Sequence, residues 1–72
     1  MDPAKAALEL ARKLRPALAG ESGGVQGAAL AELLSIWLAG HPPELRERLL
    51  TMHIDHVRQL VPENAKIMGT GV

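Results

Sequence analysis

His53-Ile54-Asp55-His56 is the stretch whose residue types and spacing come nearest to a chemical site. Imidazole titrates near neutral pH, can carry protons and binds transition metals. Residues three apart on a helix face a common space, so His53 and His56 could share a ligand. Arg46 lies seven positions before His53, on the same helical line. The set is incomplete as it stands. Transition-metal sites normally draw on more ligands than two. Asp55 points to a different arc, and no Glu-x-x-His pair of the kind used by carboxylate-bridged bundles occurs. Glu32, with symmetry-related copies, could complete it. Glu32, Arg46, His53 and His56 are therefore expected to form a polar seam at a helix crossing or subunit boundary, and secondarily a ligand site. No metal is assigned to them, and no cofactor is expected.

Other chemistry is poorly supplied. The chain has no Cys, which removes disulfides, thiolate zinc sites and a Cys nucleophile. Gly20-Glu21-Ser22-Gly23-Gly24 has the letters of a serine-nucleophile elbow. That motif works only at a strand-to-helix turn of a much larger sheet domain. The same glycines lack the Lys and the preceding strand of a phosphate loop. Nothing here marks an enzyme.

The elements that must position these groups all read as helices. His41-Pro42-Pro43-Glu44 starts the strongest one, because proline in a first turn gives up no internal hydrogen bond. It is expected over about 42–61. At about 100° per residue, Leu45, Leu49, Met52 and Leu60 form one column. Leu50, Ile54, Val57 and Val61 form another. Glu44, Glu47, Arg48, Thr51, Asp55, Arg58 and Gln59 share the rest. The apolar arc spans about 200°, twice what one neighbouring helix covers.

The preceding helix, about 23–39, is apolar nearly all round through Leu30, Leu33, Leu34, Ile36, Trp37 and Leu38. Such a helix must be central. Gly40 suits the position just beyond its end. The short connector to the next helix favours an antiparallel hairpin. Trp37, the only aromatic residue, is expected to fill the core or a subunit seam near that turn. The first helix, about 2–15, opens on an Asp2 cap followed by Pro3 and is expected to end or kink at Pro16. Beyond Pro62, residues 63–72 are expected to form a flexible tail holding at most one short turn.

The whole is an expected all-α, three-helix protomer in one small domain, 1–72. A core from 72 residues is marginal without staples. Assembly into a homodimer or a dimer of dimers is the remaining remedy. The formal net charge is zero, which argues against nonspecific nucleic-acid binding. Helix-turn-helix recognition fits poorly too, since the third helix mixes acids with its arginines. No apolar run reaches membrane-spanning length, and the N-terminus lacks a secretory pattern, so a cytoplasmic setting is the default. The expected function is a small non-enzymatic oligomeric interaction or adaptor module, with a possible protein partner. The alternatives are a nucleic-acid-associated regulator and a histidine-dependent metal-binding or catalytic homo-oligomer.

Overall fold

Local capping chemistry decides where each helix begins. The computed structural model describes residues 2–70, and these contain three α-helices and no strand. Helix α1 spans Pro3–Leu18. The Asp2 carboxylate accepts the Ala4 N–H at 3.0 Å, satisfying one of the donors that a helix start leaves open. Helix α2 spans Gly23–Ala39. The Ser22 hydroxyl accepts from the Val25 N–H at 3.2 Å, which makes Ser22 its cap. Helix α3 spans Pro43–Met68, with proline in the first turn and Glu44 at the positive end of the dipole.

Two helices run further than the sequence suggested. Helix α1 passes through Pro16 to Leu18 instead of stopping at Arg15. Helix α3 passes through Pro62 to Met68, so residues 63–68 are helical and not a loose tail. Positions 71 and 72 of that expected tail lie outside the described residues. The physical reason is the same in both helices. At about 100° per residue, each proline falls on the polar arc, opposite the leucines and valines. The carbonyls that lose their partners, those of Arg12 and Arg58, lie on the same polar side. Water can satisfy them there, so the proline costs less than it would against packed neighbours. Gly69, at φ 75°, then closes α3: its N–H reaches Lys66 O at 3.2 Å and the Thr70 N–H reaches Ala65 O at 2.9 Å. That pair of bonds is a Schellman closure, and its left-handed backbone favours glycine.

The chain divides into two compact units, Met1–Glu32 and Leu33–Val72, with the boundary inside α2. In the first unit, the Gln26 side-chain amide donates to Leu18 O at 2.8 Å and ties the start of α2 to the end of α1. Gly20 turns the connector at φ 86°. In the second unit, the Trp37 ring of α2 lies beside His53 of α3.

Neither unit closes a core of its own. None of the described residues is buried. Of the apolar positions expected in a core or interface, Leu34, Leu38, Leu49 and Leu50 are half-buried. Leu30, Leu33, Ile36, Trp37, Leu45, Met52, Ile54, Val57, Leu60 and Val61 remain exposed.

The proline argument has a direct test. Pro62→Ala restores an amide donor in the interior of α3 and should stabilise that helix by about 1–3 kcal/mol. Amide exchange across Gln59–Met68 should slow. Unchanged or faster exchange there would mean that the proline ring is held by packing and not merely tolerated.

Candidate functional site

The C-terminus of α2 leaves its last carbonyls without helical partners, and the side chains that answer them define the site. Ile36 O accepts from the Gly40 N–H at 3.1 Å. Trp37 O accepts from His41 Nδ1 at 2.8 Å, which places a proton on that nitrogen. Leu38 O accepts from the His41 N–H at 3.0 Å and from Arg46 Nε at 3.2 Å. Ala39 O accepts from Arg46 Nη2 at 3.0 Å, and His41 O from Arg46 Nε at 3.0 Å. One guanidinium from the first turn of α3 thus grips three carbonyls, with its charge at the negative end of the α2 dipole. Arg46 is engaged in joining the helices and is not held out toward a phosphate.

The earlier connector repeats the device with a neutral group. Gln26 stands eight residues after Leu18 and donates to Leu18 O; Arg46 stands eight residues after Leu38 and donates to Leu38 O. Each acceptor leucine begins a Leu-Ala-Gly triplet, at 18–20 and at 38–40. That recurrence was the available signal for the carbonyl-capping roles of Arg46 and Gln26, which angular reading of single helices does not show.

The two α3 histidines belong to a different feature. Trp37, Leu49, Met52, His53 and His56 line an open cavity of about 370 Å³ within the second unit. The His53 ring is 5.6 Å from the Trp37 ring at 43°. His41 meets the same indole edge-on, at 5.1 Å and 71°. Of the side chains around the indole, His41 and His53 are half-buried, and Met52 is exposed. Glu32 is an exposed residue of α2 that ends the first unit. The residues of the expected polar seam lie in separate places: Arg46 at the α2 carbonyls, His53 beside the indole, and His56, an exposed side chain, lining the same cavity. Among the described residues, no group of three or more His, Cys, Asp or Glu could hold a metal ion.

A third feature appears because α3 continues to Met68. Leu50, Ile54, Val57, Val61, Asn64 and Met68 now follow one another at alternating spacings of four and three on one helix. This is the spacing of a coiled-coil seam, with β-branched residues at Ile54 and Val61 and a polar Asn64. Val57, Leu60, Val61, Asn64, Ala65, Met68 and Thr70 line an open groove of about 410 Å³ along it. The opposite arc carries an exposed Arg58–Asp55 ion pair at 3.7 Å and a Thr51 hydroxyl donating to Glu47 O at 3.0 Å. An ion pair that open contributes little to stability.

The cap can be measured apart from any activity. Arg46→Met keeps the aliphatic stem and removes the fork, and should cost about 1–2 kcal/mol of stability. Urea unfolding at a fixed protein concentration reads it. Arg46→Lys should recover only part, since one ammonium cannot reproduce the planar grip. Full recovery by lysine would reduce the cap to its charge alone.

No protein-family model, curated protein or solved structure matches this chain.

Proposed function

We propose that this chain is a small non-enzymatic interaction module that assembles with further copies of itself, as a homodimer or a dimer of dimers. In this reading, α2 and α3 form an antiparallel hairpin whose outer apolar faces meet those of a second copy. One observation carries it: Ile54 (38%), Val57 (43%), Val61 (58%) and Met68 (69%) stand exposed along one side of α3, with Leu60 (40%) at the edge of that row, while no described residue is buried. A row of large apolar side chains in water calls for a partner. Closing five such positions removes on the order of several hundred Å² per chain, the scale of one side of a modest interface.

A second copy suits the row better than another occupant does. The four-three spacing from Leu50 to Met68 is the pattern that interlocks with an identical helix. Asn64 within it would favour one register by finding its own counterpart or a shared water. Zero formal net charge removes the long-range repulsion that keeps like molecules apart. Nucleic acid is the weaker alternative, because Arg46 is committed to the α2 carbonyls and Arg58 lies against Asp55.

Sedimentation velocity over a wide concentration range tests the reading. The parent should sediment as a dimer or tetramer that dissociates on dilution. Val61→Lys should shift the midpoint of dissociation upward by roughly tenfold or more, because each buried apolar side chain contributes about 1.5–3 kcal/mol. Gln59→Lys, on the polar arc, should leave it unchanged. A monodisperse monomer at every concentration would refute self-assembly.

A further inference from the structure

The cavity beside Trp37 holds donors that the histidine spacing alone leaves out. Met52, His53 and His56 all line it, together with the Trp37 indole and Leu49. Met52 and His56 are four apart on α3, and His53 and His56 are three apart. Both spacings put Cβ atoms about 5–6 Å from each other, close enough for long side chains to meet at one ion. The donors are one thioether sulfur and two imidazole nitrogens. A thioether and a ligating imidazole bring no charge of their own to an ion, and no carboxylate is among the described residues that line the cavity. That is a poor set for a hard or divalent ion, which seeks oxygen ligands, thiolates or a fuller imidazole shell. It is a good set for a soft monovalent ion, which prefers thioether and imidazole and accepts low coordination.

The surroundings fit the same class. The indole lines the cavity with its ring 5.6 Å from the His53 ring, and an aromatic wall is compatible with a bound cation. His41, on the other contact of the indole, is tied through Nδ1 to Trp37 O. It steadies Trp37 and takes no part in the donor set. We propose that this cavity binds a soft monovalent ion of the copper(I) type, with Met52 Sδ and one ring nitrogen each of His53 and His56 as ligands and Trp37 as the wall. Every group involved belongs to the second unit of a single chain, so the site does not depend on self-assembly.

Silver(I) is the probe, because it shares the ligand preference of copper(I) and is not reoxidised in air. Silver nitrate is titrated into the full chain in a buffer free of chloride, thiol and imidazole, and emission from Trp37, the only tryptophan, is followed. Equilibrium dialysis of the same samples gives the stoichiometry. The expected result is one silver ion per chain, with saturating quenching of the indole. Met52→Leu and His56→Gln should each weaken binding by roughly tenfold or more, since even losing a group that merely supports a ligand costs that much. Met68→Leu should bind silver as the parent does, and zinc(II) should bind far more weakly. Circular dichroism confirms that each variant keeps its helices. Undiminished binding by Met52→Leu, loss of binding in Met68→Leu, or zinc binding as tight as silver would each overturn the proposal. The sedimentation experiment above is independent of all three outcomes.

Discussion

A helix end is a row of carbonyls that must find donors, and where none of the described residues is buried this requirement does much of the organising. At the end of α2, the donors are the Gly40 and His41 amides, the His41 ring and the Arg46 guanidinium. Because Arg46 comes from α3, satisfying α2 also positions α3. Trp37 is then brought to His53, and the cavity beside it takes its form. Directional polar bonds here perform the task that a packed core performs in larger domains. A hydrophobic contact can slide at little cost, whereas a guanidinium bonded to carbonyls of Leu38, Ala39 and His41 cannot.

The same economy leaves apolar surface unspent. The chain places its ordering interactions at the two connectors and leaves the long flank of α3 open to water. Such an arrangement makes the folded protomer a poor end point by itself. In the proposed assembly, association and folding would draw on the same side chains, so the two would be thermodynamically linked.

Much of the helical framework was legible from residue types: the Asp2 cap, the Gly40 stop, the double proline before α3 and the crowded apolar arcs. What stayed hidden depended on backbone groups or on direction. Pro16 and Pro62 read as breakers because a one-dimensional rule ignores which arc a proline faces. Their polar position lets the helix continue, and at Pro62 this adds Asn64 and Met68 to the α3 seam. Arg46 read as a seam residue because angle alone tells where a side chain starts, not that carbonyls eight residues earlier lie within its reach. Met52 read as filling for an apolar column. Its sulfur gained chemical meaning only when the cavity placed it with two imidazoles and an indole. Trp37 stands close to the turn in the sequence, and its imidazole contacts required coordinates.

The twin Leu-Ala-Gly connectors also bear on the order in which the molecule takes shape. Each is tied by a side chain only eight residues along the sequence from its acceptor. Loops that short close in about 10–100 ns, and helices of this size form within about a microsecond. Both connectors can thus set while the remainder of the polypeptide is still searching, with little chain entropy to overcome. Encounter between separate molecules is far slower at ordinary concentrations. In the proposed assembly, maturation would therefore divide into a rapid local phase, indifferent to dilution, and a late bimolecular phase governed by how many chains are present.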